Sequence, residues 1–151
     1  MKKYCAHFHC SHQNELPTLG SGEKNSSRSS YAGIGMLKST DKGATWTNVG
    51  LPDSHHVSRI LINPNNTAEV IVGVIGHLYS ANLERGIFKT IDAGKTWTKS
   101  LFINKDTGII DVAVAPENFN VMYAASWERE RKAWNFDGDG NNSGIYKSTD
   151  A

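Results

Sequence analysis

The chain is poor in the features that mark several large protein classes. Its 16 Lys and Arg nearly cancel its 15 Asp and Glu, leaving a formal net charge of +1. Bulk electrostatics therefore favours neither nucleic acid nor an anionic membrane as a partner. No apolar run approaches the roughly 18 residues that a membrane-spanning helix requires. Met1-Lys2-Lys3 opens like a signal peptide, but Tyr4-Cys5-Ala6-His7-Phe8-His9-Cys10 supplies no apolar core, so no export signal is read there. The two cysteines, Cys5 and Cys10, lie too close together to report on the redox compartment. A sustained 3.6-residue apolar period is missing as well. Little or no helix is expected beyond a single turn within 77–85.

What is present is repetition. Ser39-Thr40-Asp41-Lys42-Gly43-Ala44-Thr45-Trp46 returns as Thr90-Ile91-Asp92-Ala93-Gly94-Lys95-Thr96-Trp97, and Ser148-Thr149-Asp150-Ala151 begins a third copy. Spacing of about 50 residues marks a repeat architecture. The likeness extends upstream: Gly35-Met36-Leu37-Lys38, Gly86-Ile87-Phe88-Lys89 and Gly144-Ile145-Tyr146-Lys147 align at the same offsets. Each reads as a short strand entering a turn, and β-favouring residues follow the two complete copies. The unit is strand, tight turn, strand. Asp41 and Asp92 can accept hydrogen bonds from turn N–H groups, and Gly43 and Gly94 can take positive φ. Trp46 and Trp97 offer large apolar faces expected to pack on their own hairpins.

This recurring box resembles the Asp-box, or bacterial neuraminidase repeat, of sialidases, xyloglucanase-type glycosidases, sortilin-type receptors and related propellers. It looks most like large bacterial sortilin-like proteins often labelled glycosyl hydrolases. The resemblance implies an all-β fold, an incomplete β-propeller of four-stranded, up-and-down antiparallel blades. It implies that Ser39, Asp41, Gly43, Thr45, Trp46, Thr90, Asp92, Gly94, Thr96, Trp97, Ser148 and Asp150 are structural. It also implies a secreted or extracytoplasmic parent with further blades as partners. The sialidase arginine set and R-I-P signature are not assembled; Arg59-Ile60-Leu61 only approaches the latter.

Taken in order, residues 1–19 do not fit the repeat. Cys5, His7, His9, Cys10 and His12 crowd together without the separated pairs that surround a zinc ion, so the segment reads as an irregular leader. Residues 20–50 read as the outer hairpin of a first blade, with 20–32 a polar loop. Residues 51–103 read as a complete second blade: strands at 57–62, 69–75, 86–91 and 96–103, with Asn63-Pro64-Asn65-Asn66 a tight turn. Residues 104–151 read as a third blade, cut inside its box, with inner strand 108–115, turn 116–120, strand 121–126 and an insertion at 127–143. At this length the chain is expected to be a piece of a longer propeller.

In such blades the tight turns gather on one rim and the longer loops on the other. Loops freed from scaffold duty usually carry function, which places the functional face opposite the boxes. Its candidate ligand-binding residues are His55, His56, His77, Tyr79, Glu84, Arg85, Trp127, Glu128, Arg129, Arg131 and Trp134. Exposed Trp and Arg are common interface anchors, and aromatics also stack on sugars. The alternative is that Trp127 and Trp134 pack the insertion onto its own blade. Glycosidase chemistry needs two facing carboxylates; Glu23, Asp53, Glu84, Asp106, Glu128 and Glu130 are available on this rim, but sequence does not pair them. Asp137, Asp139 and Asn141 resemble the start of a calcium loop, without the glycine and bidentate Glu of an EF-hand. A plain polar turn is the simpler reading, and no cofactor is assigned. The expected function is a scaffold binding protein, peptide or glycan; the alternative is part of a secreted glycoside hydrolase.

Overall fold

The structure, a computed structural model, describes residues 17–150; the Cys5–His12 cluster and Ala151 lie outside the described residues. The described chain is all-β and antiparallel, with no helix. The first sheet runs β1 (Thr18–Gly20), β2 (Met36–Lys38) and β3 (Thr47–Asn48) in spatial order. The second is a four-stranded meander of β4 (Val57–Asn63), β5 (Asn66–Val74), β6 (Gly86–Thr90) and β7 (Thr98–Leu101). The third joins β8 (Thr107–Ala115) and β9 (Asn118–Glu128) to β12 (Gly144–Ser148). Between them β10 (Glu130–Arg131) and β11 (Phe136–Asp137) form a small hairpin.

Three sequence expectations need correction. Thr18 and Leu19 belong to the first sheet, paired with Lys38 and Leu37, and not to an irregular leader. A strand with one large apolar residue carries too little alternation to be seen. The insertion is likewise more ordered than a loop, because Arg131 pairs with Phe136 across its hairpin. The single turn of helix allowed within 77–85 is absent.

Strand β5 explains why the sheets stack. Successive side chains of a strand point to opposite faces. Val70, Val72 and Val74 enter a core shared with Met36, Leu51, Val57 and Phe88, against the first sheet. Ile71 enters a second core with Ile109, Val112 and Met122 of the third sheet. Gly73 also faces the third sheet, where a Cβ would press on Ser58 and Val112. A run that is apolar at nearly every position thus feeds two interfaces at once.

The repeated boxes are one structure twice. Ser39 Oγ donates to Asp41 Oδ1 (2.8 Å) and accepts from Gly43 N–H (2.7 Å), while Thr45 N–H and Oγ1–H reach Asp41 Oδ1 and Oδ2 at 2.8 and 2.6 Å. The second copy repeats each bond through Thr90, Asp92, Gly94 and Thr96 at 2.7, 3.0, 2.9 and 2.6 Å. Backbone angles agree too: φ is 59° and 92° at Lys42 and Gly43, and 61° and 90° at Ala93 and Gly94. Ser148 Oγ donates to Asp150 Oδ1 at 2.9 Å, opening a third copy. Hydrogen bonds from the Thr45 hydroxyl and N–H and from Ser39 hold the Asp41 carboxyl down at about 2, and Asp92 is lowered by the same contacts from Thr96 and Thr90.

The tryptophans do more than cover their own turns. The Trp97 ring lies over Gly94, but its Nε1–H donates to the Val49 carbonyl of the first sheet at 2.6 Å, and it packs on that interface. The box of one sheet therefore clamps the sheet before it. Trp46, with no such partner among the described residues, is 37% exposed. Trp97→Ala is expected to cost about 2–3 kcal/mol in urea unfolding, against about 1 kcal/mol or less for Trp46→Ala.

Candidate functional site

The strand order fixes which loops share a rim. β4 and β6 run toward the boxes and β5 and β7 run away. The turns at 64–65 and 91–97 therefore lie at one end, and segments 51–56, 75–85, 102–106 and 129–143 at the other. Hydrogen bonds tie the second group together. Asn82 N–H donates to Lys105 O (3.2 Å), Gly33 N–H to His55 O (2.7 Å), and Tyr79 Oη–H to Arg28 O (2.9 Å).

On this rim the sequence candidates divide into scaffold and surface. Arg85 is 2% exposed; its Nη1 and Nη2 donate to the carbonyls of Ile75, His77, Ser80 and Asp106 at 2.7–3.3 Å. Burying a guanidinium costs several kcal/mol, and about 1.5–3 kcal/mol per charged hydrogen bond offsets it. Arg85 is thus a loop clamp, and its terminal nitrogens are committed. His56 is fully buried, edge-on to His55. Burial, then the nearby charges of Arg129, His55, His77 and Arg85, push its pKa down to about 4. Arg129 is 5% exposed, its pKa lowered to about 10 by burial and by Arg85 and Arg131.

The insertion is fastened at its base. Trp127 Nε1–H donates to Gly138 O (2.8 Å), and Glu128 Oε2 accepts from both nitrogens of Asn142 (2.9 and 3.0 Å). Arg131 lies over Phe136, its carbon 4.8 Å from the ring centre. Trp127 and Glu128 therefore pack the insertion on its own sheet. Trp134 does not: it is 81% exposed. Tyr79 and Leu83 are exposed on the neighbouring loop. Beneath the insertion a cavity of about 380 Å³ is lined by Asp106, Glu128, Arg129, Glu130, Asp137, Gly140 and Asn141. Of the three calcium candidates it brings together Asp137 and Asn141 but not Asp139, whose N–H instead faces Asp137 Oδ1 at 3.5 Å.

A tighter group sits on the adjoining loops. His77 Nε2 lies 2.9 Å from Asp53 Oδ1, and its Nδ1 lies 2.8 Å from Ser80 Oγ. The His55 ring stacks on His77 with centres 3.7 Å apart. Asn82 Nδ2–H donates to Asp53 O (2.7 Å), and Asp53 N–H donates to Glu84 Oε2 (2.8 Å). Partial burial raises the Glu84 pKa, with the Asp53 charge adding to it. Burial acts to raise Asp53 as well, but hydrogen bonds from His77 and Asn82 outweigh it and the net shift is downward. Asp53 was visible in the sequence only as one rim carboxylate among six, and Ser80 not at all. Nothing local couples residues 24 apart to each other.

No protein-family model matches the chain. Vacuolar protein sorting/targeting protein 10 of Kluyveromyces lactis is 32% identical over 84 residues, which is 52% of this chain and 5% of that protein. The crystal structure of the GH74 xyloglucanase from Xanthomonas campestris superposes with a TM-score of 0.60 at 15% identity, covering 91% of this chain and 20% of that one. The GH74 enzyme of Niastella koreensis gives 0.56 at 21%, covering 86% and 18%. An ancestral GH74 enzyme gives 0.55 at 14%, covering 99% and 25%. These sheets are propeller blades. The chain spans about a twentieth of the sortilin-like relative and a quarter or less of the solved propellers it matches. The second sheet has four strands, and the long-loop rim lies opposite the boxes.

Because His56 is neutral in the folded blade, acid favours the unfolded chain, which takes up a proton first. Stability is expected to fall as pH drops from about 6.5 to about 4. The box aspartates, whose pKa values are lowered, weaken the fold only further below that window. Urea midpoints at pH 7, 5.5 and 4.5 should converge between the wild type and His56→Gln as pH falls.

Proposed function

We propose that the chain is part of a sortilin-like propeller that serves as a ligand-binding scaffold, taking a protein, peptide or glycan on the loop rim. The exposed indole of Trp134, held out on a fastened insertion, carries this reading. Trp is the side chain most often found as an interface anchor and is well suited to stacking on sugar rings. Tyr79 and Leu83 extend the surface, and His55, His77 and Arg131 supply polar contacts. The partial match to the vacuolar sorting protein supports the same assignment. The other faces favour blade partners. On the third blade Ile145 is 80% exposed and Tyr123 lies exposed on the same face of the sheet. A further blade covering them completes the burial seen between the first three. By the same resemblance the parent acts outside the cytoplasm.

A second reading has its own support. Four carboxylates, those of Asp106, Glu128, Glu130 and Asp137, surround the rim cavity. Paired carboxylates across a cleft suit glycoside hydrolysis.

In the full-length parent, Trp134→Ala is expected to lower retention on peptide and glycan arrays about tenfold or more while moving the melting temperature little. Retention unchanged in that variant overturns the scaffold reading at this rim. A glycan-release assay with Glu84, Glu128 and Glu130 individually changed to Gln separates the alternatives. Turnover that disappears in one folded variant favours the hydrolase.

A further inference from the structure

Asp53, His55 and His77 come from two loops, yet their donor atoms all lie within 4.8 Å of one another. Packing alone does not require this convergence, because each group is also braced from behind. Ser80 Oγ, 2.8 Å from His77 Nδ1, fixes that ring so that Nε2 faces Asp53. Asn82 and Glu84 hold the backbone of Asp53 from both sides. His55 adopts φ of 50°, a strained angle for a residue with a side chain, and its carbonyl is held by Gly33 N–H at 2.7 Å. Gly22, at φ 92°, leaves the room for that carbonyl, since any Cβ there would collide with it. Strain retained in a loop, and supported by two others, is characteristic of sites where a side chain must be placed.

We propose that Asp53, His55 and His77 form a binding site for a divalent transition metal of the zinc class, with a remaining position open to solvent. Two imidazoles and a carboxylate are donors suited to zinc, cobalt, nickel or copper, whereas calcium and magnesium favour oxygen throughout. A hydrogen-bond acceptor for the far ring nitrogen, here the Ser80 hydroxyl, is the kind of support that orients a ligating histidine. The metal takes the place of the hydrogen bond between His77 Nε2 and Asp53 Oδ1; the neutral ring then carries its one proton on Nδ1, donated to Ser80 Oγ, and none is lost. Tetrahedral zinc places neighbouring donors about 3.3 Å apart. The 2.9 Å His77–Asp53 contact therefore opens slightly, and His55 tilts out of its stack to present a nitrogen. The site stands whether or not the rim takes an organic ligand, and its test uses none.

The N-terminal Cys5, His7, His9, Cys10 and His12 would confound a titration. The whole chain is therefore used with both cysteines changed to Ser and the three histidines to Ala. Zinc titrated calorimetrically into this protein is expected to bind one ion per chain, and cobalt to give the visible bands of a low-coordinate site. Magnesium at the same concentrations gives no heat. His77→Gln and His55→Asn, the latter because Asn tolerates positive φ, each lower zinc affinity about tenfold or more. Ser80→Ala, which leaves all three ligands in place, lowers it about tenfold. Thermal melts without metal identify which variants fold. Zinc affinity equal in this substituted chain and in its His77→Gln and Ser80→Ala forms overturns the site, as does an absence of saturable binding below about millimolar zinc.

Discussion

The structure depends on side chains of one sheet finishing the burial of another. Trp97 carries this most plainly. Its ring lies over the glycine of its own turn, and its N–H reaches across to the carbonyl of Val49. Strand β5 does the same on a larger scale, with alternate residues in two cores. No single sheet here has a core of its own. Stability therefore comes from contacts between repeats, as in other stacked architectures.

That arrangement gives the two rims different work. At one end the aspartate turns satisfy their own backbone with side-chain hydrogen bonds, and they leave little free to vary. At the other end the connections are longer, and their order comes from bonds between loops of different blades. Arg85 collects four carbonyls from two loops, while Asn82 joins three segments. A rim built in this way holds side chains such as His55 and His77 at set positions without belonging to any strand. Such positioning favours either recognition or ligation.

Among the site residues, legibility followed the range of the interaction. The rim position of Trp134, His77 and Tyr79 could be read from loop length, but the exposure of the Trp134 ring could not, since sequence left packing on its own blade open. Trp127 and Glu128 share a segment with Trp134 and look alike in sequence, yet they fasten the insertion to its own blade. Arg85 and Arg129 read as surface anchors because Arg usually is exposed. Arg85 is instead buried among carbonyls of its own loop and that of Asp106 on the next, and Arg129 is buried close to the Trp127 ring of its own segment.

The sequence by itself determined the turn chemistry, the order of strands and the division into two rims. Each of these rests on contacts within a few residues or on the alternation of a strand. Only the tertiary structure decided that Trp97 docks on the preceding blade, that Thr18 begins a strand, and that Asp53, His55 and His77 meet. Those outcomes depend on how one twisted sheet is rotated against the next, and the rotation is set by the summed packing of both cores and by no local pattern.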